Sequence, residues 1–81
     1  MTPRLRRLTA RELTKALGRL GFSIAGIEGS HVKLRRVSPS GERQTLMVPA
    51  SGDLATGTIV AIYRQLRRYV SDTEARPIFY R

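Results

Sequence analysis

Eighty-one residues without a single cysteine describe one small domain held by a packed core, and they exclude a disulfide scaffold and thiolate metal ligands. Fifteen Lys and Arg against six Asp and Glu give a formal charge of +9, and thirteen of those cations are arginine, the side chain that forks onto phosphate. This balance points to a polyanionic partner, while apolar runs of only a few residues exclude a membrane span and, behind the Arg-rich start, a secretory signal.

Residues 8–20 read as a helix. Thr9 and Glu12 have the spacing of a capping box, and Leu8 and Leu13 occupy the staple positions on either side of it. Leu13, Ala16, Leu17 and Leu20 recur at i, i+3, i+4 and i+7, and Gly21 supplies the stop. Arg11, Lys15 and Arg19 form the opposite, solvated face. Three short strands follow. The first covers residues 22–27, with Gly26 and Gly29 marking a turn around Glu28. The second covers 31–37, with Val32 and Leu34 pointing one way and His31, Lys33 and Arg35 the other. Ser38-Pro39-Ser40-Gly41 is turn chemistry that joins it as a hairpin to a third strand over 43–48, where Leu46 and Val48 match the buried side.

After a loop over 49–56, a second helix is expected from 56 to about 70. It carries Ile59, Ile62, Tyr63, Leu66 and Val70 on one side and Arg64, Arg67 and Arg68 on the other. In the tail, Ser71 and Glu74 repeat the capping-box spacing, but Pro77 is expected to stop any helix quickly and leave Ile78, Phe79 and Tyr80 as an apolar plug. The order α-β-β-β-α predicts an α+β fold, a three-stranded antiparallel sheet with two helices on one face. It makes a single domain over 1–81, with a core over about 8–70 and the tail 71–81 packed on it.

Helices over the Val32 side leave the other face of the sheet open. That face displays His31, Lys33 and Arg35 beside Arg43, Thr45 and Met47, a place to hold a phosphodiester. His31 is the only side chain of a type that titrates near neutrality, and so the only ready proton acceptor. RNA cleavage without metal needs a base for the 2′-OH proton and cations for the charge that builds on phosphate, and His31 with Lys33, Arg35 or Arg36 can supply both. A lone strand histidine is more often structural, so the residues alone leave both readings open. Six scattered acids do not form a two-metal centre, no Gly-rich loop ends in Lys-Ser or Lys-Thr, and one histidine gives no triad. Neither a metal nor a cofactor is expected. Tyr63 and Tyr69 read as core or boundary residues rather than a base-stacking platform.

Gly21-Phe22 after the first helix, Gly29-Ser30-His31 opening a strand, Val48-Pro49, and Gly57-Thr58-Ile59 opening a helix occur together in an order that resembles the HicA toxin family. The resemblance extends over residues 8–70, and the tail Arg76-Pro77-Ile78-Phe79-Tyr80 is similar to the endings of some longer members. It implies a fold like the double-stranded-RNA-binding domain and a cytoplasmic, metal-independent endoribonuclease that cleaves mRNA. A HicB-type antitoxin would hold it inactive. It places catalysis on His31, with Gly29 and Ser30 shaping the strand entry, the glycine allowing close backbone approach. Together with the cationic face, RNA contacts are expected at Gly29, Ser30, Lys33, Arg35, Arg36, Arg43 and Ser51. Many members carry a second histidine two residues after the proline. Ser51 stands there, able to donate a hydrogen bond but not to carry a proton at neutral pH. The alternative is therefore a slow or inactive relative that binds RNA or antitoxin. A plain duplex-RNA binder fits less well, because Thr56, Gly57, Thr58 and Ile59 carry no charge where such domains grip phosphate. A pure protein-binding role for the basic face is the third reading.

Overall fold

The computed structural model describes residues 3–81, so Met1 and Thr2 of the expected 1–81 domain lie outside the described residues. The elements are α1 (Ala10–Arg19), β1 (Ser23–Glu28), β2 (His31–Val37), β3 (Arg43–Pro49), α2 (Thr56–Leu66) and α3 (Asp72–Phe79). The sheet is antiparallel with strand order β1-β2-β3. The α-β-β-β-α order and the α+β class read from the sequence are the observed ones, with one helix added in the tail.

Both halves of the capping box at α1 are made: the Glu12 amide donates to the Thr9 hydroxyl, and the Thr9 amide donates to the Glu12 carboxylate. Leu8, Leu13, Leu17, Phe22, Val32, Leu34, Leu46 and Val48 then meet Ile59, Ile62 and Leu66 in one core. The strands alternate, so Val32, Leu34, Gln44, Leu46 and Val48 are buried, Arg36 is part-buried on the same side, and the odd-numbered residues of β2 and β3 stand on the other face.

Three local expectations change. The β1–β2 turn is Gly29-Ser30, and Glu28 is the last residue of β1 rather than the tip of a turn. Gly26 lies inside β1, where the register slips past Ala25 in a bulge. α2 ends at Leu66, before Val70, because the chain tightens into i−3 bonds from the Arg68 and Tyr69 amides to Gln65 and Leu66. The tail forms α3 straight through Pro77: the Ser71 hydroxyl accepts from the Glu74 amide, and Ala75 and Phe79, one turn apart, are fully buried. Proline forfeits one hydrogen bond there, and core burial of the flanking residues outweighs the loss. Among the described residues no helix is long and apolar enough to cross a membrane.

β3 is an edge strand, and α2 closes it. Gln65 accepts from the Met47 amide and donates to the Met47 carbonyl, and the Tyr69 hydroxyl donates to the Thr45 carbonyl. Tyr63 packs edge-on against Phe79 and Tyr80. Both tyrosines are thus boundary residues, as their helical spacing suggested.

Candidate nucleic-acid interface

The Gly29-Ser30 turn launches β2 with His31 at its first position. Gly29 has φ +61°, the left-handed value that favours glycine, and a Cβ there would meet nothing within 4 Å. The requirement on Gly29 is therefore conformational; close approach of neighbouring backbone is not its reason. Ser30 and His31 are both exposed, and the Ser30 hydroxyl lies 3.4 Å from Nδ1 of His31.

Register fixes what surrounds the imidazole. His31 is flanked by Glu28 on β1 and Pro49 on β3, and Lys33 sits between Gly26 and Met47. Arg35 follows between Ser23 and Thr45, and Val37 faces Arg43 at the far end. At the strand rise of ~3.3 Å per residue, Lys33 and Arg35 begin about 7 Å and about 13 Å from His31, with Arg43 about 20 Å away. These side chains share one face with Thr45 and Met47, and α1 and α2 pack on the other. The result is a row of cations leading away from one histidine. Arg35 carries a buried Nε that has no hydrogen-bond partner among the described residues. Glu28 is the residue that sequence reasoning missed here. The two-residue turn was the available signal, since it makes Glu28 and His31 cross-strand partners.

Arg36 is not part of that row. It lies on the helix-covered face, where Nε donates to Gln44 at 2.5 Å, Nη1 to the Leu20 carbonyl at 3.0 Å and Nη2 to the Tyr69 carbonyl at 3.5 Å. Its guanidinium also sits 5.1 Å from the Phe22 ring centroid. Alternation sets Arg36, expected among the phosphate contacts, apart from the row: this part-buried residue points toward the helix layer, where three of its five N–H donors are engaged.

Ser51 is exposed in the loop after β3. The Ala50 amide donates to the Ser30 carbonyl at 2.8 Å, which brings the start of this loop against the histidine turn. The rest of the loop is strapped to the start of α1: the Ala10 amide donates to the Gly52 carbonyl, the Leu54 amide to the Leu8 carbonyl, and Thr9 bridges Asp53. Gly29, Ser30, His31 and the start of the Ser51 loop thus share one end of the sheet, and Lys33, Arg35 and Arg43 extend along its face. Among the described residues no three His, Asp or Glu side chains converge.

A sequence profile described as the HicA toxin of bacterial toxin–antitoxin systems matches residues 10–67. Neither the curated proteins nor the solved structures yielded a match to this chain.

Proposed function

The chain belongs to the HicA toxin family, the toxins of toxin–antitoxin systems with a cognate antitoxin, and from that membership we propose that it is a metal-independent endoribonuclease acting on mRNA in the cytoplasm. The observation that carries this reading is an exposed histidine at the head of a cation row on an uncovered sheet face. His31 takes the proton of a ribose 2′-OH. The 2′ oxygen bonds to phosphorus, the bond from phosphorus to the 5′ oxygen breaks, and the departing oxygen takes a proton from solvent. The products are a 2′,3′-cyclic phosphate and a 5′-hydroxyl end. Lys33 and Arg35 hold the phosphate and its neighbours as negative charge develops, Arg43 holds the strand further along, and Gly29, Ser30 and Ser51 shape the approach. The antitoxin is of the HicB type and silences this site.

The test is cleavage of a labelled single-stranded RNA in EDTA by the parent chain and by His31→Ala. The parent cuts, and the variant, folded by circular dichroism, loses about 10²–10⁴-fold in rate. A single 2′-deoxy substitution protects its own position and no other. Equal cutting by parent and variant, or cutting at the deoxy position, overturns the mechanism. A second reading, favoured by Ser51 in place of a second histidine, is a module that binds RNA and antitoxin with little turnover. RNA binding without cleavage by the parent selects it.

A further inference from the structure

The two edges of the sheet are treated differently. β3 is closed by Gln65 and Tyr69, whereas among the described residues the outer edge of β1 pairs with no strand. The helical layer is displaced in the same direction. α1 packs on β3 and α3, and among the described residues no helix packs closely on β1. Ile24 and Ile27 pair with Leu34 and Val32, which puts them on the core-side face, yet they are 60% and 69% exposed. Between β1 and α1 runs an open groove of about 750 Å³. Ile24, Val32 and Ala50 line it, and Arg11 and Lys15 of α1 stand along its rim with Thr14. One carboxylate, Asp53, closes the loop end beside Ser51 and Gly52.

An aliphatic floor with a cationic rim selects its occupant. RNA would set charged phosphates against isoleucine. A second copy would bring another +9 against Arg11 and Lys15. A protein segment with large aliphatic side chains between carboxylates satisfies both parts of the groove. We propose that this groove is where the cognate antitoxin docks, through such a segment, its aliphatic side chains on Ile24 and Val32 in the groove and on Ile27 beside it on the same face, and its carboxylates on Arg11 and Lys15. The assignment rests on family membership for the existence of the partner and on the geometry for the place. It also supplies a route to inhibition. The groove ends at Ala50 and Ser51, and the Ala50 amide is bonded to the Ser30 carbonyl, so a filled groove lies against the His31 turn.

The experiment measures antitoxin affinity by titration calorimetry on the full chain. Two double variants, Ile24→Glu with Ile27→Glu and Arg11→Glu with Lys15→Glu, are compared with the parent and with His31→Ala. Each double variant weakens antitoxin binding by about 30-fold or more, the loss typical of removing central anchors. The isoleucine pair keeps its RNA affinity within about 3-fold, and His31→Ala keeps antitoxin affinity. The isoleucines are exposed and the cations lie on a helix surface, so the two variants test one groove through independent, fold-tolerant changes. Parent-like antitoxin affinity in the isoleucine variant overturns the proposal. So does a loss of RNA affinity with antitoxin binding intact, or a parent dimer that the isoleucine variant dissociates. A parent that cuts no RNA removes the ribonuclease reading and leaves this comparison intact, because it reads binding alone.

Discussion

Arg36 and Gln44 face each other across β2 and β3 beneath the helices, the Arg36 Nε donating to the Gln44 side-chain oxygen at 2.5 Å, while Arg35, one residue earlier, points to the opposite face. Two adjacent arginines therefore have separable roles. Arg36→Ala leaves the Leu20 and Tyr69 carbonyls and the otherwise buried Gln44 without their donor, and it costs about 1–3 kcal/mol of stability, read by urea unfolding. Arg35→Gln leaves stability within about 0.5 kcal/mol and weakens RNA binding instead. If Lys33, Arg35 and Arg43 each neutralise one phosphate, changing all three to Gln flattens the slope of log K against log salt by about 2 for a single strand. An unchanged slope removes the open face from the RNA contact.

Gln65 tests the closed edge. Its amide meets both the N–H and the C=O of Met47 at 3.2 and 3.4 Å, standing in for a fourth strand. Gln65→Glu keeps the acceptor for the amide but sets a carboxylate against the carbonyl. It costs about 1 kcal/mol in thermal unfolding. Gln65→Ala bares the edge as well, and concentration-dependent self-association in sedimentation follows from it. A variant that stays monomeric with parent stability shows that the edge needs no cover.

The alternation that separates Arg35 from Arg36 is legible in the sequence, because Val32, Leu34 and Arg36 share a parity. The chemistry of arginine suggested phosphate for both, and only the carbonyls of Leu20 and Tyr69, distant in the chain, show where Arg36 is held. The capping box at Thr9, the Ser38–Gly41 turn and the His31–Arg35 face are local patterns and were readable as such. The bare β1 edge was not. Ile24 and Ile27 look like core residues, and their exposure depends on where α1 settles over the sheet, a tertiary choice that no short window contains. α3 shows the same limit: Pro77 argues locally against a helix, and burial of Phe79 against Tyr63 overrides it.

Acid should unfold the protein partly through two carboxylates. The Thr9 backbone amide, with the Thr9 hydroxyl network, holds the Glu12 carboxyl below its ordinary value. The Tyr63 hydroxyl, and then the Arg76 guanidinium, do the same for Asp72. A carboxyl depressed in the folded state stabilises the fold at every pH above its unfolded value and loses that contribution as pH falls through the folded value. Stability therefore declines below the ordinary carboxylate range. Asp72→Asn and Thr9→Ala lower stability near neutrality and make the acid limb shallower; for Thr9→Ala the neutral-pH loss is about 1 kcal/mol. Acid midpoints that coincide for parent and variants would assign the acid limb to other groups.

In the proposed reaction, Ser51 is expected to limit the rate. His31 accounts for one proton, the one leaving the 2′-OH, and the 5′ oxygen must collect another as its bond to phosphorus breaks. A serine hydroxyl does not supply that proton at neutral pH, so solvent does. Ser51 stands one residue beyond Ala50, whose amide is anchored to the Ser30 carbonyl, in a loop strapped to α1 through Gly52 and Asp53. A histidine at this position would start from a fixed backbone beside the His31 turn. Ser51→His is expected to raise the cleavage rate by about 10²-fold or more, the lower range for a positioned acid, and to turn a pH profile with one limb into a bell. The gain disappears in the His31→Ala background, because an acid without its base completes no transfer. A rate unchanged by Ser51→His, with RNA affinity intact, would place the leaving-group proton with another donor and remove Ser51 as the cause of slow turnover.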